Sequence, residues 1–214
     1  MSIIAVLNPK GGSGKTTITT NLARAFHESG SSVLIVDSDP QGSARDWHAS
    51  NPENPIDIVG LDRPENLKTV SSLAKNYEIV LIDGAAKHEE MIGAAIKVSD
   101  FVLIPVQPSP YDLWAAADLV DFIKTRQEVT DGKPLAAFVV TRAMKNTKLG
   151  SEVVAALDEH GLPVLNTQIV QRQVYPQTAA EGKTVFDALK TDALAEINDL
   201  SAEILDMFSR AGGK

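Results

Sequence analysis

An α/β fold, with a mostly parallel central sheet carrying helices on both faces, is written into this chain by three features. Short β-branched runs alternate with longer amphipathic ones along the 214 residues. Several of the short runs end on a polar residue (Asn8, Asp37, Asp83, Thr141), and no Ser/Gly-rich stretch divides the chain. Strands buried on both faces read as near-continuous apolar runs, and helices covering both faces account for the segments between them. A single domain is expected over 1–210, with a disordered tail at 211–214.

In chain order, the run Ile3, Ile4, Ala5, Val6, Leu7 places a strand at Ser2 to Leu7, and the glycine-rich turn after it gives way to a helix over Lys15 to Ser29. Val33 to Val36 leads into DSDPQ, placing a strand at Ser32 to Asp37 and a short helix from Gly42 to Ala49. A strand from Ile56 to Gly60 and a helix from Pro64 to Lys75 follow, then a strand from Glu78 to Asp83 ending in IVLIDG, and a helix from Glu89 to Val98. The strand Phe101 to Pro105 runs into PVQPSP, whose fixed proline φ angles make a rigid loop leading to the helix Leu113 to Gln127. Strand Ala136 to Thr141, helix Leu149 to His160 and strand Val164 to Val170 continue the alternation. The last helix, Asp192 to Ser209, gathers Leu194, Ile197, Leu200, Ile204, Leu205 and Phe208 on one face, the pattern of a helix docked on a core. Its other face is acidic, whereas a membrane-surface helix carries Lys and Arg there.

Composition narrows the chemistry. There is no cysteine, which excludes disulfides, thiolate zinc sites, cysteine nucleophiles and cysteine-ligated iron–sulfur clusters. The four histidines, His27, His48, His88 and His160, have no ligand spacing and read as surface or packing residues. No basic leader precedes an apolar stretch, and no window approaches the roughly 20 apolar residues of a spanning helix, so a cytoplasmic protein is expected. A net charge of −8 argues against a surface that is basic throughout, but leaves room for a local patch. Between Lys133 and Lys190, seven Lys/Arg outnumber five Asp/Glu.

The stretch NPKGGSGKTT, residues 8 to 17, carries the strongest chemical signal. Aligning G-x-x-x-x-G-K-[ST] on Gly14, Lys15 and Thr16 puts Pro9 where the first glycine belongs, so the loop is a variant of the phosphate-binding (Walker A) motif. Its physics survives. Gly11, Gly12 and Gly14 let backbone N–H groups of the loop, Ser13 included, turn toward phosphate oxygens, and the helix after it adds its positive dipole end. Lys15 is placed to reach the β/γ-phosphates of ATP and Thr16 to ligate Mg²⁺. Asp37 and Asp39, at the end of the second strand, and Asp83, in a Walker-B-like position, add carboxylates that act on a hard cation through its waters. Each aspartate alone is also an ordinary strand-end turn residue.

KGGSGKTT, DSDPQG and IVLIDG, in this order, resemble the deviant Walker A ATPases of the ParA/MinD family, and especially the short, ParF-like plasmid-partition ATPases. VSDFVLIPVQPSPYDLWAA (98–116), VVTRAM (139–144) and IVQRQVYPQTAAEGKTVFD (169–187) extend the resemblance over nearly the whole chain. It implies a P-loop fold, weak intrinsic Mg²⁺-dependent ATPase activity, and a role for the second loop lysine: Lys10 reaches across a two-fold interface to the partner's phosphates, making an ATP-sandwich homodimer. A cation supplied in trans completes the site only on pairing. The same resemblance makes Asp39 the residue that positions the attacking water, Asp37 and Asp83 the holders of hydrated Mg²⁺, Thr17 a ligand of the α-phosphate, and Arg142 part of the adenine pocket. It also implies nonspecific DNA binding by the dimer, a higher-order polymer as a further state, nucleoid association, and a centromere-binding, ParB/ParG-like partner that stimulates hydrolysis. Arg172 and Lys183 are the candidate phosphate contacts to DNA, with ordinary surface roles as the alternative. Two other functions remain open: a MinD-like membrane-associated positioning ATPase, which lacks a basic amphipathic tail here, and an ATP-dependent enzyme acting on a small molecule.

Overall fold

The computed structural model describes residues 1–86, 88–144 and 148–212. The chain runs β1 (Ser2–Val6), α1 (Lys15–Glu28), β2 (Val33–Asp37), α2 (Ser43–Ala49), β3 (Asp57–Gly60), α3 (Pro64–Leu67), α4 (Val70–Leu73), β4 (Ile79–Asp83), α5 (Glu89–Val98), β5 (Phe101–Val106), α6 (Pro110–Glu128), β6 (Leu135–Ala143), α7 (Lys148–Asp158), β7 (Val164–Val170), α8 (Val174–Ala179) and α9 (Asp192–Gly212). The strands form one sheet, ordered β3-β2-β4-β1-β5-β6-β7, and each neighbouring pair is parallel. The expected α/β architecture is therefore present.

Side-chain alternation along β1 divides the core into two layers. Ile3, Ala5 and Leu7 belong to one buried cluster with Met91, Leu119 and Leu157; Ile4 and Val6 belong to the other, with Ile18, Phe26 and Leu200. Both layers are buried, which explains why the inner strands look uniformly apolar in the sequence. The edge strand β3 is largely exposed at Asp57 and Gly60.

Departures from expectation have local causes. The helix expected over Pro64 to Lys75 divides into α3, α4 and a 3-10 turn at Ala74–Asn76. At the break, both the N–H and the hydroxyl of Thr69 bond to the Asn66 carbonyl, at 2.9 and 2.7 Å, a local closure that competes with helix continuation. Helix α6 starts earlier than expected because extended Ser109 precedes Pro110, a residue suited to the first helical position. Helix α8 escaped sequence reading, as Pro176 suggests a break; within a first turn its missing N–H costs nothing. Helix α9 extends through Ala211 and Gly212, while residues 213–214 of the expected tail lie outside the described residues.

The parallel order brings the carboxyl ends of the neighbouring inner strands β1, β4 and β2 together at one end of the sheet, where crossovers leave β1 and β4 in opposite directions. In open parallel sheets this crevice is where ligands bind. Register pairs Asp83 with Val6 on one side and with Asp37 on the other, so the two aspartates arrive at the same level.

Candidate nucleotide site

The loop between β1 and α1 is glycine-dependent at two points, Gly12 (φ 77°) and Gly14 (φ 97°), both left-handed, the second at the N-cap of α1. Its walls come from other elements. The Thr141 hydroxyl at the end of β6 donates to the Ser13 carbonyl at 2.9 Å, Gln107 donates to the Gly12 carbonyl, and the Asn8 amide donates to the Pro105 carbonyl at 2.8 Å. The loop is thus braced from two strands before any ligand arrives.

Lys15 is 7% exposed, and its ammonium donates to the Lys10 carbonyl at 3.1 Å. Burial lowers its pKa, against the opposing attraction of Asp83 and Asp39. Thr16 donates its hydroxyl to Asp83 at 2.7 Å, and Thr19 does so at 3.2 Å. Asp83 is buried, and loss of water raises its pKa to about 7, with Asp37 adding to the rise while Thr16, Lys15 and Thr19 oppose it. Asp37 is also buried; its carboxylate accepts the Asp39 N–H at 3.1 Å and the Arg45 N–H at 3.0 Å. Asp39 is half-buried and accepts the Gln41 N–H at 2.9 Å.

These residues fit a nucleoside triphosphate and magnesium. Ser13 has a buried hydroxyl without a hydrogen-bond partner, and the Cβ positions of Gly11 and Gly12 face open space. Among the described residues no three His, Cys, Asp or Glu converge as a metal cage, so a cation held at Thr16, Asp37 and Asp83 would draw on phosphate and water oxygens as well. Thr17 lies beside Thr16 on the first turn of α1, half-buried.

The sequence matches the CobQ/CobB/MinD/ParA nucleotide binding domain family over residues 4–185. The chain belongs to that family. It is an ATP-hydrolysing, magnesium-dependent enzyme of the ParA/MinD positioning type. It is similar to maintenance of carboxysome distribution protein A of Halothiobacillus neapolitanus, 31% identical over 94% of this chain and 95% of that one. Chromosome-partitioning ATPase Soj of Thermus thermophilus is 30% identical over 85% of this chain and 86% of its own. The solved ATP complex of a Cyanothece McdA variant shares the fold, with a TM-score of 0.78 at 16% identity, covering 95% of this chain and 96% of that one.

Of the residues singled out for this ATPase, the fold brings together Lys10, Gly11, Gly12, Ser13, Gly14, Lys15, Thr16, Thr17, Asp37, Asp39 and Asp83. Arg142 stands next to Thr141, exposed and with φ 50°, at an irregularity in the β6–β7 register. Lys10 itself pairs with Asp112, a fully buried carboxylate on the first turn of α6, and lies 6.0 Å from the Tyr111 ring. Arg172 is held by Glu196 at 2.5 Å and Asp192 at 3.1 Å, and Lys183 by Glu181 at 2.7 Å. Sequence reading missed Asp112, Gln107 and Arg45. For Asp112 a signal existed: it shares the helical stripe of Ala116, Leu119 and Ile123, where an acid is out of place.

Proposed function

We propose that this protein pairs around two ATP molecules and positions cargo on DNA, with hydrolysis resetting the pair. One observation carries the reading: the two loop lysines are divided. Lys15 occupies its own loop, whereas the Lys10 ammonium points away toward Asp112 on α6. A charge held outside its own phosphate cradle is available to a second subunit, and exchange of Asp112 for the partner's phosphates would make ATP the bond between copies. Within each cradle the loop N–H groups and Lys15 bind the phosphates, Thr16, Asp37 and Asp83 hold the hydrated cation, and Asp39 orients the attacking water. Bound magnesium neutralises charge on the transferred phosphoryl group. Thr17 and Arg142 complete the nucleotide contacts at the α-phosphate and adenine.

The resemblance to partition ATPases, the ParF-like short forms included, and the similarity to Soj support sequence-independent DNA binding. Arg172 and Lys183 would exchange their carboxylate partners for DNA phosphates. A separate ParB/ParG-like protein would select the cargo and stimulate hydrolysis. The membrane reading is disfavoured by α9, whose apolar residues Ile197, Leu200 and Ile204 are already buried against the core. Among the described residues no helix is long and apolar enough to cross a membrane.

The test is light scattering with a nonhydrolysable ATP analogue, beside a gel shift on arbitrary DNA and sedimentation with anionic liposomes. Wild type should pair and shift DNA only with the analogue; Lys10→Ala should keep ADP binding and lose pairing. Pairing that survives Lys10→Ala removes the trans lysine, and liposome binding without DNA binding moves the function to membranes.

A further inference from the structure

We propose that Arg45 is a positioning residue for hydrolysis: its guanidinium braces the Asp37–Asp39 strand end against β3 and so sets where the Asp39 carboxylate points. The inference rests on the assignment of Asp37 and Asp39 to the metal and water side of the site.

Arg45 lies on the first turn of α2, and its contacts converge on one short segment. Its Nε lies 3.3 Å from the Asp37 carboxylate, which also accepts its backbone N–H at 3.0 Å. Its Nη2 donates to the Asp39 carbonyl at 3.1 Å and lies 3.8 Å from the Asp62 carboxylate, just past β3. A planar fork of donors can hold these oxygens together; a lysine ammonium, a point charge on a flexible stem, cannot hold them in the same geometry.

The surroundings are shaped for this side chain. A Cβ on Gly42 would lie 3.1 Å from Nη2, and one on Gly60 would lie 2.9 Å from Nη1 and 3.0 Å from Cδ. Two glycines from separate elements, the turn before α2 and the end of β3, leave the slot that the arginine fills. A solvated surface arginine needs no such slot.

The brace does two things. It fixes the Asp39 backbone from outside the turn, complementing the inner bonds from Asp39 N–H to Asp37 and from Gln41 N–H to Asp39. It also sets a positive charge beside Asp37, which opposes a divalent cation drawing on the same carboxylate. Loss of Arg45 should therefore misplace the water-orienting carboxylate while tightening magnesium.

Three variants test this against Asp39→Ala, with steady-state ATPase measured beside calorimetric titration of Mg²⁺ into the ADP-saturated protein. Arg45→Ala should lower kcat roughly ten- to hundredfold, the scale of a small misplacement of a catalytic group, and tighten Mg²⁺ binding about three- to tenfold through lost repulsion. Arg45→Lys should return Mg²⁺ affinity toward wild type and leave kcat low. Gly60→Ala keeps the charge but pushes the guanidinium from its slot; the new methyl meets the flexible end of a side chain, so the fold survives and kcat should fall as in Arg45→Ala. Should Arg45→Ala fail to fold, Gly60→Ala alone carries the test. Low turnover in Asp39→Ala with wild-type kcat in Arg45→Ala and Gly60→Ala overturns the brace, as does full recovery of kcat by Arg45→Lys. Wild-type turnover in Asp39→Ala overturns instead the assignment on which the brace depends.

Discussion

Charging Asp83 is costly. It is fully buried, next to a second buried carboxylate at Asp37, and two threonine hydroxyls with Lys15 offset that only in part. A carboxyl group whose folded pKa is raised from 3.8 to about 7 binds its proton more tightly in the folded than in the unfolded chain. Its contribution to stability is therefore full below its unfolded pKa and lost as pH rises through about 7. In the absence of nucleotide and metal, the denaturant midpoint of wild type should fall relative to Asp83→Asn as pH rises from 3.8 to about 7. Parallel profiles would show that Asp83 is not the residue that titrates. The neighbouring residues separate binding from chemistry. Lys15→Ala removes the cation inside the cradle and should abolish measurable nucleotide binding by calorimetry, and normal ATP affinity in that variant would refute the loop assignment. Asp39→Ala leaves the cradle intact and should bind ATP normally while hydrolysing it roughly a hundredfold or more slowly, the usual range for loss of a group acting on the nucleophile.

Among the elements, β7 shows how an exposed edge is managed. Its outward N–H groups are capped by carboxylates from α9: Asn166 and Thr167 donate to Glu203 at 2.7 and 3.0 Å, and Val170 donates to Glu196 at 3.1 Å. An uncapped edge is a template for pairing with another chain. Although burial alone would raise the pKa of Glu203, the bonds from Asn166 and Thr167 outweigh it and lower the pKa. The stability it contributes is present above the unfolded value of 4.5 and is lost as pH falls through the folded value. Glu203→Ala should cost about 1 kcal/mol, the scale of a lost hydrogen bond to a charged group at a wet edge, and should raise nucleotide-independent aggregation seen by light scattering. No added scattering would assign edge protection elsewhere. Such pairings mark the limit of what could be read from the chain. Strand runs such as Val33 to Val36 were legible because burial on both faces leaves a continuous apolar signature, and the loop because Gly14, Lys15 and Thr16 are adjacent. Lys10 and Asp112 are 102 residues apart, and Arg45 meets Gly60 only once β3 lies beside β2. A residue's partner across the sheet leaves no local periodicity, so these contacts were invisible although each residue was in plain view.

The whole molecule carries −8, so a pair carries twice that and is repelled by DNA at long range. The proposed DNA binding would then have to come from a few local cations presented together, and pairing would double whatever one subunit offers. If, as proposed, Arg172 and Lys183 are the phosphate contacts, the ATP-bound dimer would engage about four phosphates, and the slope of log K against log salt would be about −0.9 for each. Replacing Arg172 by Ala removes one contact from each subunit and should flatten that slope by about two, with the affinity loss independent of DNA sequence. The same change removes the ion pairs that Arg172 makes with Glu196 and Asp192. Arg172→Gln, which removes the charge but keeps a hydrogen-bond donor, separates a counterion effect from loss of the tie between the segment before α8 and the start of α9: a flattened slope with an unchanged melting temperature supports direct phosphate contact. An unchanged slope in both variants would return Arg172 to its visible role, that of tying the segment before α8 to the start of α9, and would place the DNA-binding surface on other cations of the dimer.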